Sequence, residues 1–260
     1  MNSLKLLWER NKYSFTRLPT NTKLKDPQSL DIINDLKTKG YSQINNFFNK
    51  DKCESIIKHI NDVISTKPES IQWDKTNTDA RIIGAENNNK IIYDFHTNQK
   101  LLDISNIFYG EHAVHFFTMA ARLRFNGENL GSGNGWHRDS YSPQFKVMLY
   151  LSDVESSNGP FEYFPNSHSI NHMRSLNKFI KQKKLSKRYD HELIDAFSKK
   201  FKTSWKQFSA KAGSAIFFDS SGLHRGSPIL AGDRYALTIY SMRKRSINDA
   251  KYKKFGIRLS

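Results

Sequence analysis

The apolar positions of this chain change period as the sequence is read. Leu30, Ile33 and Leu36 fall at helical spacing between Ser29 and Lys39, and Gly40 follows where a helix C-cap favours glycine. Tyr41 to Phe48 reads as a short strand. Asn49 then stands as the N-cap of a second helix, running to about Ser65, with Cys53, Ile56, Ile57, Ile60 and Ile64 on its buried side. Residues 67–90 are polar and turn-rich, with a loop tip expected at Asn87-Asn88-Asn89, and Leu101 to Phe108 is a further helix. From Ala113 the period shortens to two. Strands are expected over 114–118, 121–125, 146–151, 161–164, 215–218 and 235–242, with glycines and Asn158-Gly159-Pro160 as turn signals. Many short strands with turns between them predict a mainly β (α+β) chain, an antiparallel jelly roll flanked by the N-terminal helices. Residues 169–210 interrupt the pattern as an insertion, with helices expected over 177–187 and 192–201.

A length of 260 residues suits one large β-rich domain. The expected division is an irregular arm (1–28), a helical flank (29–112), a core (113–243) and a basic tail (244–260). The single cysteine, Cys53, excludes an intramolecular disulfide and fits a half-buried helical position. No stretch approaches the length of a membrane span, and the N-terminal apolar run is too short for a signal peptide, so a cytoplasmic protein is expected.

The formal charge of +16 bears on partners rather than on fold: nucleic acid, an anionic membrane surface touched peripherally, or an anionic substrate. Between Arg174 and Lys206 stand eleven basic residues, Lys181, Lys183 and Lys184 among them, against three acids. The stretch from Arg243 to Arg258 adds seven against Asp249. Nucleic acid is disfavoured, because no recognition motif is present and the aromatics follow the strand cores. A surface that holds an anionic substrate and a merely solvated face both remain open.

The candidate chemistry centres on Gly135-Trp136-His137-Arg138-Asp139-Ser140. In an extended backbone, side chains at i and i+2 emerge on one face, so His137 and Asp139 can reach one cation. His224 lies far downstream in Gly222-Leu223-His224-Arg225-Gly226, with Arg234 ten positions later. Two imidazoles and a carboxylate form the ligand set of a non-haem Fe(II) oxygenase, which leaves metal positions open. Arg234, Ala236 and Thr238 share a strand face. A guanidinium there would suit a carboxylate, with space beside it and a hydroxyl from Thr238, and the competing use is a rim salt bridge with Asp233. His112, His115, His168 and His172 have no cysteine or acid to complete a zinc set, and packing roles are expected for them.

Further segments extend the pattern: Met148 to Asp153, Asn158 to Phe161, Phe164-Pro165-Asn166-Ser167-His168, Ala212 to Asp219 and Asp233 to Thr238. Taken in order over residues 38–243, these resemble the phytanoyl-CoA dioxygenase family of Fe(II)/2-oxoglutarate-dependent oxygenases. The resemblance implies a double-stranded β-helix, Fe(II) on His137, Asp139 and His224, and 2-oxoglutarate chelating the metal and paired with Arg234. Dioxygen would be the second co-substrate. It further suggests Arg124 and Tyr150 as co-substrate contacts, although a rim arginine and a core tyrosine are equally consistent with the sequence. The implied reaction hydroxylates a C–H bond of a small metabolite, sugar or lipid, expected to be anionic, with release of succinate and CO2. Asp139 argues against a halogenase, which has glycine or alanine there. The alternative is a catalytically inactive jelly roll that binds an anionic ligand or nucleic acid, and the four filled positions argue against it.

Overall fold

Helix α1 (Pro27–Thr38) begins where the Asp26 side chain accepts a hydrogen bond from the Ser29 amide at 3.0 Å, and it buries Ile32, Ile33 and Leu36. The computed structural model describes residues 26–127, 131–181, 186–248, 250 and 252. Most of the expected arm, and Lys183, Lys184 and most of the tail, lie outside them. Strand β1 (Tyr41–Ile44) stops short of the expected Phe48. Asn46 takes a positive φ of 57°, and the amides of Phe47 and Phe48 turn aside to the carbonyl of Gly213. Asn49 caps α2 (Lys50–Thr66) through the Lys52 amide, and Cys53, Ile56 and Ile60 face inward.

The turn-rich reading of 67–90 needs correction. It contains β2 (Gln72–Trp73) and β3 (Asp79–Ile83), and β3 pairs along β4 (Ala113–Arg124). Arg81 masks the strand signal, because it points into an internal cavity where an apolar side chain would ordinarily stand. Helices α3 (Lys90–His96) and α4 (Gln99–Tyr109) follow, the first of them not expected. The two strands expected over 114–125 are one, β4.

The remaining elements are β5 (Trp136–His137), β6 (Phe145–Tyr150), β7 (Phe161–Tyr163), α5 (Ile170–Phe179), β8 (Arg188–Tyr189) and α6 (His191–Phe201). After them come β9 (Lys206–Phe208), β10 (Ala215–Asp219), β11 (His224–Gly226) and β12 (Asp233–Arg243). Helix α5 starts earlier than the expected 177–187. Ser169 caps it through the His172 amide at 3.2 Å, a capping signal hidden within the Ser167-His168-Ser169 turn.

All strand pairs are antiparallel. One sheet has the order β1-β10-β6-β12-β4-β3-β2, and the other β8-β5-β11-β7-β9. Alternation along β6 and β12 sorts the layers. Phe145, Val147, Leu149, Leu237 and Ile239 pack outward against α1, α2 and α4, while Tyr150 and Ala236 meet Phe161, Tyr163 and Phe208 between the sheets. Helices α5 and α6 cover the other side of the small sheet through Leu176, Ile194 and Phe197 on Trp136 and Leu223. The central strands β6, β10 and β12 of the large sheet are thus buried on both faces, which explains their near-continuous apolar runs. Two facing antiparallel sheets form the jelly roll that the pattern predicts. Among the described residues no helix is long and apolar enough to cross a membrane.

Candidate metal centre

His137 and His224 are 87 positions apart in the chain and directly opposite each other in the β5–β11 ladder. Residues paired across an antiparallel ladder point to the same face, so both imidazoles enter the space between the sheets, with ring centroids 4.3 Å apart. Each ring is held in the same way. His137 Nδ1 donates to the Gly135 carbonyl at 2.9 Å, and His224 Nδ1 donates to that of Gly222 at 3.0 Å. That fixes the tautomer and turns both Nε2 lone pairs into the cavity, the arrangement that metal-binding histidines require. Asp139 follows β5 by two residues and is held by its amide to the Ser220 carbonyl at 2.9 Å. Its Oδ1 lies 3.7 Å from His137 Nε2 and its Oδ2 3.9 Å from His224 Nε2.

The two halves of the site are tied by Arg138, fully buried between the two candidate ligands of its motif. Its Nη1 donates to the carbonyls of Ser221 at 2.5 Å and Ser167 at 3.3 Å, which pins the turn before His224. Glycine is needed at two close approaches. A Cβ on Gly133 would come within 2.3 Å of His137 Cε1, and one on Gly222 within 1.9 Å of the Tyr163 hydroxyl.

The three groups are in the protonation states that a metal ligand needs. Burial, with the neighbouring His137 ring, pushes His224 down to about 3, and burial also lowers His137, so both are neutral at pH 7 and available as ligands. Burial alone would raise the Asp139 carboxyl, but the Lys146 ammonium and the two imidazoles hold it well below the usual carboxylate range. Lys146 Nζ lies 2.5 Å from Asp139 Oδ2 and 3.9 Å from the centre of the Tyr240 ring, with only 6% of its side chain exposed. The three potential ligand atoms lie within 4.8 Å of one another. Two imine nitrogens and one ionised carboxylate on one side of an open cavity fit Fe(II) and leave positions for further ligands.

That cavity, of about 210 Å³, also takes Arg234 and Thr238 into its wall. Arg234 is 5% exposed, and its Nη1 donates to the Gly159 carbonyl. Among the described residues no carboxylate pairs with it. Asp233, the competing partner considered for Arg234, pairs instead with Arg124 at 3.2 Å, because the β4–β12 register sets Asp233 opposite Arg124. Arg124 is therefore a rim arginine, 57% exposed in its side chain and away from the cavity. Tyr150 is buried close by but does not line the cavity. Its hydroxyl donates to the Phe208 carbonyl at 3.1 Å and accepts from the Phe161 amide at 2.8 Å, which fastens the sheets together. His168 has the structural place expected, with Nε2 3.1 Å from the Lys37 carbonyl.

Three cations of the wall were not expected: Lys146, Arg81 and Arg188. A lysine within the apolar run Phe145 to Tyr150 is a readable signal for the first. For the other two the cross-strand register is decisive, and a sequence does not display it.

The family model described as Phytanoyl-CoA dioxygenase (PhyH) matches residues 36–235. The chain belongs to the phytanoyl-CoA dioxygenase family. Membership makes it an Fe(II)/2-oxoglutarate-dependent oxygenase, with the family's iron and 2-oxoglutarate as cofactors. Solved structures with the same fold include EctD from S. alaskensis with 2-oxoglutarate and 5-hydroxyectoine, at 13% identity and TM-score 0.63 over 89% of this chain and 80% of that one. The non-heme alpha ketoglutarate dependent epimerase SnoN from nogalamycin biosynthesis aligns at 13% identity and TM-score 0.62, over 84% of each chain. HygX from Streptomyces hygroscopicus, with nickel and 2-oxoglutarate bound, aligns at 17% identity and TM-score 0.57 over 85% of this chain and 88% of its own. At such identities the likeness shows the double-stranded β-helix and not the substrate. No curated protein matches the chain.

Proposed function

We propose that this chain hydroxylates a C–H bond of a small anionic substrate, with Fe(II) on His137, Asp139 and His224 and 2-oxoglutarate on Arg234 and Thr238. The observation that carries the reading is Arg234. A buried guanidinium without an acid among the described residues lines the same cavity as a two-histidine, one-carboxylate set. Burying such a charge is costly unless an anion answers it. A carboxylate of the co-substrate meets the planar fork in two parallel hydrogen bonds, and Ala236 beside it keeps the strand face open.

When bound, the iron couples decarboxylation of 2-oxoglutarate to insertion of one oxygen atom into the substrate. The balance is substrate C–H, O2 and 2-oxoglutarate giving substrate C–OH, succinate and CO2. The chain's own contribution is placement and dryness. Its imidazoles stay neutral, Lys146 holds one oxygen of Asp139, and Met119, Met148, Phe161 and Phe218 keep the walls apolar around the polar groups. Such fixed groups in a desolvated site cost no reorganisation at the moment of reaction. The presence of Asp139 supports hydroxylation over halide transfer.

The test is a succinate-release screen with Fe(II), 2-oxoglutarate and O2 against a panel of anionic and neutral metabolites, sugars and lipids. Succinate formed in step with a hydroxylated product is expected for an anionic member. Stimulation by neutral members alone would remove the substrate assignment. An iron-loaded protein that releases no succinate with any member, or without one, would favour a binding role.

A further inference from the structure

Resting on the oxygenase reading above, we infer that Arg188 is the receptor for an oxyanion of the primary substrate, a carboxylate or a phosphate, and places the reacting carbon beside the metal ligands. The register carries the argument. In the small sheet Arg188 on β8 pairs with His137 on β5, and His137 pairs with His224 on β11. Three directly opposed residues on adjacent strands point to one face. Arg188 therefore stands in the same row as the two imidazoles, roughly 5 Å from the first and twice that from the second. Strand β8 is the edge of its sheet, so the row runs from the enclosed ligands out to water. An exposed arginine that ends this row and still lines the cavity sits where a polar head group would enter.

The guanidinium is braced and has donors to spare. Arg188 Nη1 donates to the Gly133 carbonyl at 2.6 Å, and among the described residues no carboxylate pairs with it. Five N–H groups in a fixed fork leave an edge for a planar oxyanion. Gly133 lies against His137, so the brace also fixes the distance between the fork and the ligand.

The charge of the loaded cavity agrees. Lys146 is answered by Asp139, and Arg81 by Asp79 at 2.6 Å. A metal dication and a 2-oxoglutarate dianion cancel. Arg234 and Arg188 then remain, an excess of two positive charges around the space left for substrate. A monoanionic or dianionic substrate removes that excess, whereas a neutral one leaves it standing. This places the selection for negative charge within the site, on one residue of the insertion, rather than on its basic surface at large.

The experiment uses the full chain with Fe(II) and 2-oxoglutarate under anaerobic conditions, where the visible metal-to-co-substrate band reports events beside the metal. Hexanoate, hexyl phosphate and hexanamide are titrated at constant ionic strength into wild type, Arg188→Gln and Arg188→Lys. At least one anion should shift the band saturably in wild type, the amide should not, and whichever anion binds tighter identifies the source of the oxyanion. Arg188→Gln should raise that anion's dissociation constant at least about tenfold, the equivalent of one charge-assisted contact, and Arg188→Lys should restore part of it. A purely structural role for the brace would weaken all probes and the co-substrate together. The inference is overturned if neither anion shifts the wild-type band, if hexanamide binds as well, or if Arg188→Gln binds the anion as wild type does. A wild-type protein that forms no band at all would instead sink the oxygenase reading on which the inference rests.

Discussion

His172 turns a packing detail into a stability measurement. It lies on α5, between Phe164 and Phe197 at ring-centroid distances of 5.0 and 5.2 Å. The residue as a whole is only partly buried, yet both ring nitrogens are sealed from solvent and have no hydrogen-bond partner among the described residues. Burial, reinforced by the Arg138 guanidinium and by His168, pushes its pKa down from 6.5 to about 3. A histidine depressed in the folded state contributes stability that is present above its unfolded pKa and is lost as pH falls. Between pH 7 and pH 5 the unfolded chain takes up the proton while the folded ring stays neutral. At about 1.4 kcal/mol per pH unit below 6.5, the loss over that interval is about 2 kcal/mol. His96, lowered to about 4 by burial and the neighbouring His115, adds a similar amount in the same window. His172→Phe removes the titration and suits the aromatic surroundings, so its stability at pH 7 should stay within about 1.5 kcal/mol of wild type. Urea melts of the metal-free protein at pH 7 and pH 5, compared at equal m, read the difference directly. The variant should lose about 2 kcal/mol less than wild type on acidification. An equal loss in the two proteins would refute the sealed-ring argument.

Substitutions at three positions probe the site itself. Arg234→Ala should weaken 2-oxoglutarate binding by about 2–5 kcal/mol, roughly thirtyfold or more, with little change in iron binding. Arg234→Lys should recover only part, since an ammonium cannot reproduce the fork; an alanine variant with wild-type co-substrate affinity would end the assignment. Gly133→Ala forces a Cβ against His137 at a φ of 85°, and iron affinity measured by competition with a chelator should fall while the fold persists by circular dichroism. Asp139→Gly should retain weak iron binding and lose hydroxylation, and undiminished product from this variant would show that the carboxylate is not a ligand.

The sequence makes much of this site readable because its chemistry is local. His137 and Asp139 are two residues apart, and Arg234 and Thr238 alternate along one strand, so their shared faces follow from backbone geometry. Helix α2 is equally plain, since Asn49 satisfies the Lys52 amide three residues on, whereas α1 starts at Pro27, two residues before the expected Ser29, on the Asp26 cap. What the sequence hides depends on register. Arg124 and Arg81 are both arginines on paired strands, yet Arg124 faces Asp233 at the rim and Arg81 faces the cavity. Strand β3 lacks an apolar alternation because its inward face is partly polar, where Arg81 enters the cavity wall. Tyr150 shares its alternation with Lys146 and Met148, but its hydroxyl is already engaged by the small sheet. The row from Arg188 through His137 to His224 joins three segments of the chain, and only the folded ladder shows it.

The measurement that bears most directly on the central claim is an anaerobic titration of Fe(II), followed by 2-oxoglutarate, into wild type and the His137→Ala, Asp139→Ala and His224→Ala variants. One Fe(II) per wild-type chain is expected, with a weak visible charge-transfer band appearing on addition of 2-oxoglutarate and lost in each variant. Full iron occupancy with an unchanged band in all three variants would contradict the account.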